Sequence, residues 1–200
     1  MSKPIEFYFD FSSPYGYIAA EKIEAIAARH GRTVVWRPFL LGAAFKVTGG
    51  MPPMNVPVKG EYHLHDFPRS ARFHGVPYKL PSKFPIASVA AARAFYWLDA
   101  REPARAKELA RTLYRAYFVE GVDISDAETM IGVCTRLGLA ADEVRAAIND
   151  PAVKERTKTE VDKAVAAGAF GSPYIVIDGE PFWGADRLDQ IERWLASGGF

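Results

Sequence analysis

The stretch between Ile5 and Tyr17 constrains the fold most, because it runs from a strand pattern directly into a helix start. Apolar residues occupy every second position from Ile5 to Phe11, which is the period of a β-strand. Ser13 then stands where a helix N-cap is expected, and Pro14 suits the first helical position. Ser13 should therefore lie beside free backbone N–H groups that favour a thiolate or a carboxylate, although a serine that only caps the helix is the simpler alternative.

Composition limits the classes of function. With 200 residues and 49% hydrophobic content, the chain can form one domain, or one domain with a sizeable insertion. A net charge of +1 gives no electrostatic reason to expect nucleic acid or an anionic membrane as a partner. The single cysteine, Cys134, excludes an internal disulfide and a four-cysteine zinc site. We expect a cytoplasmic enzyme or binding protein.

A βαβ unit accounts for the first forty residues. The apolar spacing after Pro14 predicts a helix to Arg29, and Gly31 is placed to end it. A second strand is predicted over Thr33–Phe39. Strand, helix and strand in this order predict a right-handed crossover between parallel strands, so the fold class is α/β.

The segment from Leu41 to Pro85 differs in composition from its surroundings: it has many glycines and prolines and little hydrophobic periodicity. These features predict long loops. Such loops are either functional or plain connectors, and the sequence does not choose between the two.

Helical patterns follow as far as Asn149. Helices are predicted over 87–100, 104–118 and 141–148, and another after Ser125, which has the form of a capping box with Glu128. Cys134 lies on the apolar side of that helix, so we expect a buried small side chain there and not a nucleophile.

The C-terminal segment completes an α/β arrangement. It reads as a helix over 153–167, a turn at Gly168–Tyr174, a hairpin of two strands over 174–183, and a closing helix over 187–196. This order is that of a thioredoxin-like fold, a four-stranded mixed sheet whose last two strands are antiparallel, with a helical insertion. We assign 1–40 and 151–200 to the thioredoxin-like domain, 41–85 to a loop-rich connector that contributes to the site, and 86–150 to an inserted helical subdomain.

Two features of that fold should meet in space, namely Ser13 and the turn Gly171–Pro173. A cis bond before Pro173 would expose the backbone of Ser172 to an extended peptide, so a cysteine-containing peptide could pair with it; a rigid turn is the alternative. Dithiol redox chemistry is excluded because the four positions from Ser13 to Gly16 contain no cysteine. What remains is to bind and ionise an external thiol.

Four motifs carry a resemblance that covers nearly the whole chain. They are Phe9–Tyr15, Pro38–Gly42, Phe170–Tyr174 and Phe182–Leu188. The chain resembles the 2-hydroxychromene-2-carboxylate isomerases, relatives of the kappa-class glutathione transferases in the DsbA-like thioredoxin superfamily. The resemblance implies a glutathione-dependent isomerase of aromatic-compound catabolism, and a homodimer.

The same resemblance implies where glutathione would bind. Its sulfur would lie at Ser13, and its backbone would pair with Ser172 beside a cis-Pro173. The remaining positions implied for the cofactor are Lys46, Lys59, Ala185 and Asp186. Gly49–Gly50 departs from the Gly-Asn that the family often has in this loop, and Asn55 is the candidate that would replace the missing amide.

The mechanism that the resemblance implies is reversible thiolate addition, which interconverts 2-hydroxychromene-2-carboxylate and trans-o-hydroxybenzylidenepyruvate. Lys46, Lys59 and Arg69 are unranked candidates to bind the substrate carboxylate. The aromatic side chains that would form a flat wall for the substrate are Tyr15, Phe45, Tyr62 and Trp183.

Two other functions stay open at this point. One is a kappa-type transferase that conjugates glutathione to electrophiles, and the other is a non-catalytic DsbA-like peptide-binding module. No metal site is expected, because His63 and His65 have no acidic or cysteine partner at ligand spacing beyond Asp66.

Overall fold

A four-stranded mixed sheet forms the centre of the computed structural model, which describes residues 3–200. Its strands are β1 (Ile5–Phe9), β2 (Val34–Pro38), β3 (Tyr174–Ile177) and β4 (Glu180–Trp183), in the order β2-β1-β3-β4. The β1 strand pairs parallel with β2 and antiparallel with β3, and β3 pairs antiparallel with β4. The predicted parallel βαβ unit and the antiparallel final hairpin are both confirmed.

Helices cover both faces of this sheet. In chain order they are α1 (Pro14–Arg29), α2 (Leu41–Thr48), α3 (Lys59–Phe73), α4 (Val89–Asp99), α5 (Pro103–Phe118), α6 (Ala127–Thr135), α7 (Ala141–Asn149), α8 (Pro151–Ala166) and α9 (Leu188–Ser197). Two 3-10 turns, Pro53–Asn55 and Ala185–Arg187, precede α3 and α9. Helix α1 has the predicted bounds because Ser13 caps it and Pro14 starts it.

Strand β1 separates two hydrophobic clusters. Ile5, Phe7 and Phe9 point into the larger cluster, which contains residues of α1, α4, α5 and α6. Tyr8 points to the opposite face and packs with residues of α8. The period of two predicted for this segment is therefore correct, but both faces of the strand are buried.

The prediction of long loops between Leu41 and Pro85 is wrong, because this segment contains α2 and α3. The prolines of this segment predict a loop, but Pro68 lies inside α3. There the burial of Phe67 and Ala71 offsets the backbone hydrogen bond that proline cannot make. A second cis peptide bond, Phe84–Pro85, was not predicted.

In the helical region, the N-cap of α6 differs from the prediction, and the burial of Cys134 agrees with it. Asp126, not Ser125, caps α6, because its side chain accepts the N–H of Thr129. Cys134 is fully buried with Sγ 3.4 Å from Sδ of Met130, as predicted for a packing residue. Burial raises the pKa of this thiol to about 12, which leaves it unreactive at neutral pH.

Helices α4 to α6 share the larger cluster with β1 and α1, so the inserted helices pack on the sheet unit through one continuous core. The division into a thioredoxin-like domain, a connector and an inserted subdomain stays a prediction. Among residues 3–200, no helix is long and apolar enough to cross a membrane.

Candidate functional site

A cavity of about 1600 Å³ opens at the start of α1. Its walls come from α2, from α3, from the turn before β3 and from the 3-10 turn that follows β4. This volume exceeds that of a typical small-molecule pocket and suits two ligands bound side by side. Most residues predicted for the site line it: Ser13, Tyr15, Phe45, Lys46, Lys59, Tyr62, Arg69, Ser172, Trp183, Ala185 and Asp186.

Ser13 joins the start of α1 to the turn before β3. Its hydroxyl donates to the carbonyl oxygen of Ser172 at 2.8 Å and accepts the N–H of Gly16 at 3.0 Å. The side chain is therefore a helix cap, and it also faces Ser172 as the chain order predicted. To donate to a bound sulfur, the hydroxyl must release the Ser172 carbonyl.

Free N–H groups at this helix start are fewer than the sequence suggested. Pro14 has none, the N–H of Ser13 donates to the carbonyl of Asp10, and that of Gly16 is taken by Ser13. Within residues 3–200, the N–H of Tyr15 has no hydrogen-bond acceptor. A ligand anion next to Ser13 would thus meet one backbone donor, one hydroxyl and the helix dipole.

The Ser172–Pro173 bond is cis, as predicted. Pro173 is buried behind the cavity surface, and its carbonyl accepts the N–H of Gly184. The N–H of Ser172 finds no acceptor in the part of the chain that the structure describes. Ser172 lines the cavity, so we expect its N–H to be the backbone group that an extended peptide ligand could pair with.

Asp10 lies beneath these groups and was not predicted as part of the site. Its carboxylate is fully buried and accepts hydrogen bonds from Ser12 N–H, Leu41 N–H and the Ser88 hydroxyl. Its backbone N–H donates to Ser172 Oγ, and its carbonyl accepts the Tyr114 hydroxyl. Burial raises the pKa of Asp10 against the opposing effect of the hydrogen bonds. Asp10 thus links the C-terminal end of β1 to the starts of α2 and α4 and to the cis-proline turn.

Gly16 is required by this packing. A Cβ at this position would lie 2.6 Å from Ser172 Oγ and 2.7 Å from Tyr114 Oη. The absence of a side chain at Gly16 therefore lets α1 approach the cis-proline turn closely enough for Ser13 to reach Ser172.

Trp183 and Phe170 flank the same turn at the mouth of the cavity. Their rings meet edge to face with centroids 4.7 Å apart, and both side chains are partly exposed. Ala185 and Asp186 follow in the 3-10 turn, with Ala185 buried and the Asp186 side chain exposed. Asp186 lines the cavity together with Arg187, and its carboxylate lies 3.8 Å from the Arg187 guanidinium.

The three candidate cations are not equivalent. Arg69 contacts the carboxylate of Asp66 and donates to the Tyr62 hydroxyl, so its charge is already compensated. Lys46 near the end of α2 and Lys59 at the start of α3 make no ion pair within residues 3–200. They are the better partners for a ligand carboxylate.

The segment between α2 and α3 does not place Asn55 at the cavity, contrary to expectation. Asn55 is exposed and lies outside the residues that line the cavity, although its neighbours Met54 and Val56 line it. Gly50 lines the cavity, and a Cβ there would lie 3.1 Å from the Phe45 ring. The ring of Phe45 thus takes space that a side chain at position 50 would need.

Helix α3, which lies where the sequence predicts a loop, carries a polar cluster that contacts Tyr15. Tyr15 donates to Asp66 at 2.5 Å, and its oxygen lies 3.2 Å from His63 Nδ1. Ser70 also donates to Asp66. The i, i+3 spacing of His63 and Asp66 would have indicated a common helix face, had the helix been recognised.

The described residues contain no group of three or more His, Cys, Asp or Glu side chains arranged to hold a metal ion. The thioredoxin-like geometry, a cis-proline turn opposite a helix start, is present with serine where redox members of such folds carry an attacking cysteine.

A DsbA-like thioredoxin domain model matches residues 4–196. The chain belongs to the DsbA-like thioredoxin family, as both the matched residues and the fold show.

Within that family, its relatives include isomerases and glutathione transferases. It is 31% identical to a 2-hydroxychromene-2-carboxylate isomerase from Sphingobium xenophagum, over 98% of this chain and 99% of that protein. It is 25% identical to glutathione S-transferase kappa 1 from Rattus norvegicus, over 96% and 92% of the two chains. A solved 2-hydroxychromene-2-carboxylate isomerase superposes with a TM-score of 0.87 at 26% identity, covering 97% of this chain and 95% of that one. These relatives support an enzyme of the branch that contains both activities.

Proposed function

We propose that this protein is a glutathione-dependent isomerase that interconverts 2-hydroxychromene-2-carboxylate and trans-o-hydroxybenzylidenepyruvate. One observation carries the proposal: Ser13 stands at the helix start opposite the cis-proline turn, beside the N–H groups of Tyr15 and Ser172, which have no acceptor within residues 3–200. This arrangement accepts an external thiol and has no cysteine with which to oxidise it.

The residues at the helix start fit a glutathione sulfur. Its binding would supply a thiolate that adds reversibly to the conjugated enone of the open-chain substrate, so that a single bond can rotate before elimination. The Ser13 hydroxyl and the Tyr15 N–H stabilise a negative charge at that point, together with the dipole of α1. Each unit by which they lower the thiol pKa contributes about 1.4 kcal/mol toward the ionised form.

Charge placement supports the rest of the cofactor site. Ser172 offers its backbone N–H for pairing with the peptide part of glutathione. Ala185 and Asp186 lie at the cavity edge where the carboxylate can bind the ammonium of the γ-glutamyl group. Lys46 and Lys59 line the same cavity and provide one cation for a glutathione carboxylate and one for the substrate carboxylate.

The substrate would lie against the aromatic side chains of the cavity. Tyr15, Tyr62 and Phe45 line the cavity from α1, α3 and α2, and Trp183 lines it beside the cis-proline turn, next to Gly171. Flat apolar walls of this kind bind a bicyclic aromatic acid and exclude water from it. Asn55 has no part in this proposal because the structure does not bring it to the cavity.

The decisive experiment is an assay with both ligands. Wild-type protein is mixed with 2-hydroxychromene-2-carboxylate with and without glutathione, while product formation and free thiol are followed together. We expect product only with glutathione, and no loss of thiol. Conversion without glutathione would contradict the proposal.

Two further measurements separate the two alternatives. Consumption of thiol against an aryl halide, without isomerisation, would identify a kappa-type transferase. Absence of any heat when glutathione is titrated into the protein would favour the peptide-binding module. We also propose that the protein is a homodimer located in the cytoplasm. Light scattering tests the homodimer, and cell fractionation tests the location.

A further inference from the structure

The hydrogen bonds among Tyr15, His63 and Asp66 determine which nitrogen of the His63 ring carries a hydrogen. Asp66 receives hydrogen bonds from Tyr15, Ser70 and Arg69, a donor set that suits an ionised carboxylate. Burial alone would raise the pKa of Asp66, but these hydrogen bonds and the charge of Arg69 together hold it below its usual value. Asp66 is therefore an acceptor only, and the Tyr15 hydroxyl hydrogen points to it.

The position of that hydrogen determines the tautomer of His63. A tyrosine hydroxyl has one hydrogen, and the 2.5 Å contact with Asp66 uses it. The 3.2 Å contact between Tyr15 Oη and His63 Nδ1 then requires Nδ1 to carry the donating hydrogen. The lone pair of a neutral imidazole is consequently left on Nε2.

Nε2 is free to act on a ligand. Among the residues that the structure describes, it has no hydrogen-bond partner, and His63 lines the cavity. The ring stacks on Phe67 and contacts Tyr62 and Tyr15 edge to face. His63 is thus held on the aromatic wall, with its basic nitrogen available and its other nitrogen oriented by a carboxylate through a tyrosine.

We propose that His63 is the proton-transfer residue of this cavity, and that Tyr15 and Asp66 are the positioning residues that fix its tautomer. The proton-transfer step on the substrate, described next, rests on the proposed function. In the ring-opening direction, Nε2 takes the hydrogen of the hemiketal hydroxyl, the ring C–O bond breaks, and the hemiketal carbon becomes a ketone. The imidazolium returns that proton to the phenolate oxygen, so that atoms and charge balance.

The other cavity histidine lacks this arrangement. His74 also lines the cavity, but its ring contacts Phe73, and no side chain in residues 3–200 hydrogen-bonds to it. His65 lies on the same helix as His63, is exposed and does not line the cavity. These two residues provide comparisons for the test.

The tautomer is measured first, without substrate or glutathione, by long-range ¹H–¹⁵N correlation spectra of the histidine rings. We expect His63 in the Nδ1–H form in the wild-type protein, and a shift toward the Nε2–H form in Tyr15→Phe. An Nε2–H or imidazolium form in the wild-type protein at neutral pH would overturn the inference.

The second measurement is isomerase turnover. His63→Gln should lower kcat by about a hundredfold, as for loss of general acid–base catalysis, with unchanged glutathione affinity by calorimetry. His65→Gln should match the wild type. Equal turnover of His63→Gln and wild type, or a comparable loss in His74→Gln, would overturn the inference while the proposed function stands. A wild type without isomerase activity would overturn the substrate step and the proposed function, and the tautomer measurement would still decide the positioning of His63.

Discussion

Ser13 donates its hydroxyl hydrogen to the carbonyl of Ser172 across 2.8 Å, and this contact ties the first helix to the cis-proline turn. The same oxygen accepts the N–H of Gly16, so Ser13 is a structural cap as well as the candidate sulfur ligand. The two roles predict different consequences when the hydroxyl is removed.

Ser13→Ala should lower isomerase kcat by about 10²- to 10³-fold, which is the usual effect of losing one donor to a developing anion. Loss of the cap should lower the free energy of unfolding by about 1 kcal/mol. Chemical denaturation and turnover at saturating glutathione measure the two effects. Asp126→Ala removes the cap of α6 and serves as a control that should retain turnover. Unchanged turnover in Ser13→Ala would remove Ser13 from the mechanism.

Gly16→Ala should destabilise the protein by about 1–3 kcal/mol, because the new methyl group overlaps Ser172 Oγ and Tyr114 Oη in a packed interior. It should also weaken glutathione binding, since Ser172 must move. Gly132→Ala, in an exposed position of α6 with no atom within 4 Å of the added Cβ, should instead stabilise by about 0.5–1 kcal/mol. Equal denaturation midpoints for the two variants would contradict this account of the close approach.

Asp10→Asn should lower the free energy of unfolding by about 2 kcal/mol, because the amide turns two hydrogens toward backbone and hydroxyl donors, whereas a carboxyl group carries at most one. The pH dependence has a definite sign. The folded-state pKa of Asp10 is raised above 3.8, so its ionised form is disfavoured by folding, and its contribution falls as pH rises from below 3.8 through the folded-state pKa. Urea titrations at several pH values should show the wild-type advantage over Asp10→Asn shrinking with increasing pH. An advantage that grows with pH would refute the assigned shift.

Lys46→Met and Lys59→Met should separate the two carboxylate sites. One variant should raise KM for the aromatic acid and the other the Kd for glutathione, each by about tenfold or more, from loss of a charge-assisted contact. Arg69→Met should act differently, because Arg69 already contacts Asp66; its loss should disturb the α3 cluster more than ligand affinity. Steady-state kinetics and glutathione calorimetry on all three variants make the comparison. No change for either lysine would contradict their role.

The pH profile should carry the signature of His63. Burial lowers its pKa below 6.5, with Lys59 acting in the same direction and Asp66 against it. Because the neutral imidazole is the base, kcat/KM should fall as pH falls through that lowered pKa. The acidic limb should flatten in His63→Gln and persist in His65→Gln. An identical limb in both variants would assign the titration to another group, the Tyr15 hydroxyl being excluded because desolvation raises its pKa.

The sequence by itself determined the strands, helix starts and turns that depend on residues close together in the chain. The alternation in β1, the Ser13–Pro14 start of α1 and the two-stranded hairpin over 174–183 each depend on neighbouring residues, and each lies where it was expected. The absence of cysteine at Ser13–Gly16 likewise excluded dithiol chemistry from composition alone.

Tertiary structure decided what depends on packing between distant segments. Helix α3 forms despite Pro68 because Phe67 and Ala71 bury against the rest of the protein, an energy that no local propensity contains. Only once α3 packs on α1 can Tyr15 reach Asp66 and orient His63. Two of the three donors to the buried Asp10 carboxylate come from residues 31 and 78 positions away, so this hydrogen-bond network is a property of the assembled fold.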